Sequence, residues 1–316
     1  MSENRPELPL YDLTNFYRHF AKRDRLEHGD LDARLELPVL SAFFRIHRTE
    51  YAIRVIGQEL PPNRYNFFFL SLVRTGSATK TDGMSTYQIR PHTLWSTPLG
   101  QIHSARDWTA DATGYYVAIS PDFLALDPTL LRLVQTLPFF RLEGQHHLYL
   151  SETDSDELYA IFNQIEQEFE QPADGQRDAL IRLYLTEILL KAERLFARLV
   201  ASPLHLKGPG YQLTDRFKQA VDQHFRDNRS LPFYGELLGV HPNYLSNTIK
   251  AETGQTAGDL LRDRVIQEAK YLLYQSDFSV KEIAYYLSFE DTSYFSKYFK
   301  KSTGQTPQAY QKSVRE

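Results

Sequence analysis

The chain has 316 residues, a hydrophobic fraction of 42%, a charged fraction of 24% and a formal net charge of −4, which leaves room for two domains of ordinary soluble composition. No run approaches the roughly 20 apolar residues of a membrane span. "MSENRPELPLYDL" at the N-terminus lacks a charged segment leading into an apolar core, so the expected compartment is the cytoplasm, with no membrane partner. With Cys 0, disulfides, thiolate zinc sites and thiol nucleophiles are excluded. Residues 1–206 hold 21 Lys/Arg and 27 Asp/Glu (−6), and residues 207–316 hold 15 and 13 (+2). Such a weak basic excess does not by itself mark a nucleic-acid partner.

Residues 1–150 read mainly as strands and turns. "AFFRIHR", "YAIRVIG", "NFFFLSLVRTG", "STYQIRPHTLWSTP" and "GYYVAIS" are short, aromatic and β-branched, and separated by Gly, Pro, Asn or Asp. Their spacing predicts a sandwich or a small β-barrel.

Residues 151–200 then read as a helical pair. Asp154 with Glu157 offers an N-cap and its partner, followed by an apolar stripe of Leu158, Ile161, Phe162, Ile165 and Phe169. In the second helix, roughly 175–200, Ile181, Leu185, Ile188, Ala192, Leu195 and Leu199 are spaced 4-3-4-3-4. That is the seam of a short coiled coil, and equally the core stripe of a helix packed on its own domain. We assign it as a dimer seam, with Leu180, Leu183 and Leu190 lying off it.

"ASPLHLKGPG" at 201–210 breaks the helical pattern and reads as a linker. Residues 211–316 read as all-α. Within them "YLSNTIKAETGQT" (244–256) and "YFSKYFKKSTGQT" (294–306) share seven of thirteen residues at an offset of 50. Each closes a helix-turn-helix plan, at about 231–254 and 279–304. In the second copy Ser279 and Glu282 form a capping box, Ser288-Phe289 make the turn, Asp291 caps the second helix, Phe295 and Phe299 point inward, and Gly304 ends it. The first copy has Gly235 in place of Ala284 and Gly239-Val240 at the turn. A continuous helix over 257–275, about 28 Å long if fully formed, joins the units. Two helices so spaced suit successive major grooves on one face of a duplex, about 34 Å apart.

Residues 211–316 resemble the DNA-binding domain of AraC/XylS-type bacterial transcription regulators, above all through "IAYYLSFEDTSYFSKYFKKSTGQTPQAYQ". Ser288 stands where that family usually has Gly, and the first unit departs further, with His241 for a Ser cap, Asn247 for Arg and Gly235 for Ala. The resemblance implies base contacts from Asn243, Ser246 and Asn247 in the first unit and Thr292, Ser293, Ser296 and Lys297 in the second. Lys250, Lys300 and Lys301 are expected at phosphates. Since Gly235 should cost its helix about 1 kcal/mol relative to Ala, the second unit is expected to supply more phosphate energy and the first more base selection.

"IRPHTLWSTPLGQIHSA" is similar to the cupin-type sensor strand-turn of these regulators, with Leu99 inserted between Pro98 and Gly100. The fold expected is therefore α+β with two domains: a cupin-like barrel and helical pair, then a double helix-turn-helix. The function expected is transcription regulation through double-stranded DNA, as a homodimer, with a small-molecule effector in the barrel and RNA polymerase as a further partner. No residue can be assigned to the effector. The alternatives are a metal-dependent cupin enzyme with an appended helical domain and a regulator without an effector. His92 and His103 lack companion ligands, and adjacent His146 and His147 would face opposite ways on a strand. No nucleophile elbow, phosphate loop or dinucleotide fingerprint occurs. No cofactor, metal or catalytic residue is expected.

Overall fold

The computed structural model describes residues 44–141, 145–172, 174–200 and 208–315. Its N-terminal part holds β1 (Phe44–Arg48), α1 (Thr49–Ile56), β2 (Leu60–Arg64), β3 (Phe68–Thr75), β4 (Ala78–Asp82), β5 (Ser85–Ile89), β6 (Thr93–Thr97), β7 (Ile102–Arg106) and β8 (Thr113–Ile119). Helices α2 (Pro121–Ala125) and α3 (Pro128–Thr136) follow, then β9 (His147–Tyr149), α4 (Glu152–Phe169) and α5 (Gly175–Val200). All described ladders are antiparallel and fall into two sheets, β1-β8-β3-β6-β9 and β2-β7-β4-β5. The expected β domain with a helical pair is present, as two hydrogen-bonded sheets and not one closed barrel.

The five-stranded sheet is buried on both faces, which explains why β3 reads as an unbroken apolar run. Along β8, Tyr115, Val117 and Ile119 face the helices, while Tyr116 and Ala118 face the second sheet. Leu70 and Leu72 of β3 join the first set, and Phe69 and Val73 the second. Period-two alternation thus splits one strand between two cores.

Two local expectations change. "YAIRVIG" is α1 and not a strand: it follows β1 directly and stops at Gly57, whose φ is 89°. Its Tyr51 and Ala52 pack on the inter-sheet core. The N-cap of α4 is Ser151, which accepts from the Asp154 N–H, so Asp154 sits a turn further in than expected.

The proposed dimer seam on α5 faces inward. Ile181, Leu185 and Ile188 are 0% exposed and Ala192 1%, within the core of the five-stranded sheet, with Leu195 packed beside them; the Leu199 side chain lies outside the described residues. The outer face of that sheet needs a cover, and over so few turns a core stripe and a coiled-coil seam have the same spacing. Leu180, Leu183 and Leu190, off the seam, are 37, 61 and 39% exposed.

Of the expected linker, 201–207 lie outside the described residues. Beyond it come α6 (Pro209–His224), α7 (Leu231–Leu238), α8 (Pro242–Thr253), α9 (Ala257–Gln275), α10 (Val280–Tyr286), α11 (Thr292–Thr303) and α12 (Pro307–Arg315), around one apolar core. Ile102 of β7 is buried in that same core, so the four-stranded sheet docks against the helical domain. At the junction Arg64 Nη2 lies 3.0 Å from Glu268 Oε2, whose other partner, Arg264, also reaches Asp222 at 2.6 Å. Burial pushes the Glu268 carboxyl up, but Arg264 and Arg64 outweigh it and hold it below its usual range. No helix among the described residues is long and apolar enough to cross a membrane.

Candidate nucleic-acid interface

The duplicated sequence becomes a duplicated shape. α7–α8 and α10–α11 are helix-turn-helix units, and residues 241–250 and 291–300 have the same pattern of burial position by position. Leu245 and Ile249 in one helix, and Phe295 and Phe299 in the other, are 0% exposed and anchor α8 and α11 to the core. The remaining faces of the two helices are open.

Each start is capped by a different device. His241 Nδ1 accepts from the Asn243 N–H at 3.3 Å, so the histidine replaces a serine cap through its ring nitrogen. Asp291 accepts from the Tyr294 N–H at 2.7 Å. The shared "TGQT" is a stop-and-restart signal. Thr253 and Thr303 return their hydroxyls to the carbonyls of Ile249 and Phe299, and Gly254 and Gly304 take φ of 77° and 83°. Thr256 then caps α9 in a capping box with Asp259, and Thr306 accepts from the Ala309 N–H. These residues stop one helix and start the next.

The expected base-reading residues fall on the open faces. Asn243, Asn247, Ser293 and Lys297 are exposed, and Ser246, Thr292 and Ser296 half-buried. Ser296 spends its hydroxyl proton on the Thr292 carbonyl at 2.8 Å, leaving only acceptor capacity for a base. Lys250, Lys300 and Lys301 are exposed at the C-terminal ends of their helices.

Three features escaped the sequence reading. Tyr244 and Tyr294, equivalent residues of the repeat, are 57 and 56% exposed, each next to the base-reading positions. Their identity in the two copies was the available signal. A cleft of about 830 Å³ beside α11 gathers Arg229, Arg262, Lys297 and Lys301 against one acid, Asp263. Arg229, from the loop entering the first unit, donates to the carbonyls of Leu287 (2.9 Å) and Ser288 in the second unit's turn and lies 3.9 Å over the Phe289 ring. The two units are thus held by this clasp as well as by α9, and nothing in the local sequence of Arg229 announces a partner 58 residues away.

Gly235 also changes meaning. A Cβ there would come 2.8 Å from the Val240 carbonyl oxygen and 3.1 Å from Pro242 Cγ. Close crossing of α7 against the start of α8 demands the glycine, so the expected propensity penalty is a condition of packing and not a defect of the first unit.

A cation-lined pair of capped helices on a strut defines a helix-turn-helix DNA-binding fold. The family model described as "Helix-turn-helix domain" matches residues 234–313. The chain is 26% identical over 192 residues to the HTH-type transcriptional activator RhaR of Enterobacter sp. (strain 638), covering 60% of this chain and 66% of that one. It is 32% identical over 96 residues to the regulatory protein PocR of Salmonella typhimurium, covering 30% and 32%. In neither case does the chain span two thirds of the relative's length. Among solved structures, the C-terminal domain of AraT, a response regulator from Geobacillus stearothermophilus, is 32% identical, covering 34% of this chain and 88% of that one with a TM-score of 0.31.

Proposed function

We propose that the chain is a sequence-specific DNA-binding transcription regulator, acting by binding and not by catalysis, in the cytoplasm. The observation that carries this reading is the repetition of one open helix face at an offset of 50 residues on a shared strut. α8 and α11 enter successive major grooves. Asn243, Ser246 and Asn247 read bases from the first, and Thr292, Ser293, Ser296 and Lys297 from the second. Lys250, Lys300 and Lys301 hold phosphates, and the cleft with Arg229 and Arg262 cradles the backbone between the grooves. More cations surround α11 than α8, which supports a division in which the second unit grips and the first selects.

The N-terminal β domain is the sensor, and its docking on α9 through Arg64 and Glu268 couples a small effector to the DNA-binding domain by shifting a population of docked and freed states. The exposed stripe of Leu180, Leu183 and Leu190 on α5 supports a homodimer that presents two DNA-binding domains to adjacent sites, and RNA polymerase is the partner through which a bound dimer would act. Selection of random duplexes by the full chain tests the reading. One enriched site, bound far more tightly than competitor, supports it, and an unenriched pool refutes it.

A further inference from the structure

Between the two sheets, beside α1, lies a cavity of about 60 Å³ whose walls include Ala52, Tyr65, Phe69, Trp95, Trp108 and Tyr116. Two lining residues carry buried polar atoms without a hydrogen-bond partner: Thr49 Oγ1 and Trp95 Nε1, in residues 4 and 6% exposed. Buried polar atoms are nearly always satisfied, so each orphan asks for an explanation. An indole N–H can only donate, whereas a hydroxyl can donate or accept. Together they suit one oxygen that accepts from the indole and makes a second bond to the threonine.

The charges around the cavity decide what bears that oxygen. Lys80, which also lines it, lies 4.6 Å over the Trp95 ring, and its Nζ is 2.7 Å from Asp82 Oδ1, with both side chains 0% exposed. The other Asp82 oxygen accepts from the Tyr87 hydroxyl, and His103 Nδ1 lies 3.3 Å from Lys80 Nζ. Burial, reinforced by Lys80, holds His103 well below its ordinary range, so this ring is neutral. The ion pair is already closed. A bound carboxylate would add a buried anion with no counter-ion of its own, beside Asp82. A sugar would bring several hydroxyls to a wall with two open partners. Size sets a further limit, since a benzene ring occupies an apolar cavity of roughly 150 Å³.

Resting on the reading of this half as a sensor, we infer that the cavity binds a neutral molecule of a few non-hydrogen atoms with one hydroxyl or carbonyl oxygen, of the short branched alcohol or ketone class. Its oxygen meets Trp95 Nε1 and Thr49 Oγ1, and its carbons meet the aromatic wall.

The chain has only Trp 2, and both tryptophans line this cavity, so intrinsic emission reports on it selectively. The full chain, without DNA, is titrated with 2-propanol, acetone, acetate and arabinose. The expected result is a saturable millimolar emission change with the two neutral compounds and none with the other two. Trp95→Phe, which keeps Trp108 as reporter, and Thr49→Val should each weaken binding roughly fivefold, the loss of one hydrogen bond. Ala52→Leu, which fills the cavity without touching either oxygen partner, should abolish it. No saturable change with either neutral compound would mean a cavity holding only water and would overturn the proposal. So would binding of acetate as tight as that of 2-propanol, or unweakened binding in both hydrogen-bond variants. No duplex is present, so this failure leaves the DNA-binding reading standing, and failure to bind duplex leaves the cavity result standing.

Discussion

Ser288 sits at the turn of the second unit with φ of 54°, and Gly239, its counterpart in the first, has φ of 71°. A left-handed backbone costs a residue with a Cβ roughly 1–2 kcal/mol, while glycine loses about 0.5–1 kcal/mol more conformational freedom on folding. The Ser288 hydroxyl offers little in return, since its contact to Asp227 is 3.4 Å long and exposed. The Arg229 clasp takes the Ser288 backbone carbonyl, which any residue supplies. Ser288→Gly should therefore stabilise the helical domain by about 0.5–1 kcal/mol, raising its melting midpoint by about 2–4 °C. The reciprocal change isolates the cause. A Cβ at Gly239 meets no atom within 4 Å, so Gly239→Ser should destabilise by about 1 kcal/mol through backbone conformation alone. Urea and thermal unfolding of the full chain, followed by circular dichroism, read both variants. Destabilisation by Ser288→Gly with Gly239→Ser neutral would refute the claim that the two turns share one strained geometry.

Gly235→Ala should destabilise the chain by about 1–2 kcal/mol despite better helix propensity, because the new methyl meets the Val240 carbonyl at 2.8 Å; a higher unfolding midpoint would contradict this. Arg64→Ala should weaken docking of the β domain on α9 by about 1–3 kcal/mol, the value of a charge-assisted hydrogen bond, seen as a lower urea midpoint of the full chain; an unchanged midpoint would count against the coupling. Burial lowers His147 to about 4, and His103 is also held low, so in the unfolded chain both take up protons first. Their contribution to stability is present above the ordinary histidine value near 6.5 and is lost as pH falls toward 4, so the β domain should weaken across that window, less so in His147→Phe. Leu183→Glu should leave the circular dichroism spectrum of the folded chain unchanged and convert the proposed dimer to monomer in light scattering, since Leu183 is 61% exposed.

The helical domain was legible because its signals are local. Capping boxes, glycine stops and the i, i+4 spacing of Phe295 and Phe299 each act within one turn of helix, and the repeat showed them twice. The β domain was less so. β2, with two prolines in "LPPNR", and β4, "ATKTD", carry weak strand signals, and pairing makes them strands, with β7 for β2 and with β5 and β7 for β4. α1 consists of residues with strand propensity, overridden by its place over the inter-sheet core. The α5 seam showed a third limit: spacing says that a stripe is apolar, and only the fold says which surface meets it. At the interface the open faces of α8 and α11 could be read, whereas Arg229 and Arg262 reach their cleft through tertiary packing. The orphaned Thr49 and Trp95 atoms could not be inferred from sequence, because satisfaction of a polar group is a property of its surroundings.

The central claim is that α8 and α11 read two grooves on one face of a duplex. Hydroxyl-radical footprinting of the full chain on its selected site measures this directly. Two protected patches about 10 base pairs apart, with Asn247→Ala weakening protection only in one and Lys297→Ala only in the other, is the predicted result. A single patch, or protection unaffected by either change, would contradict it.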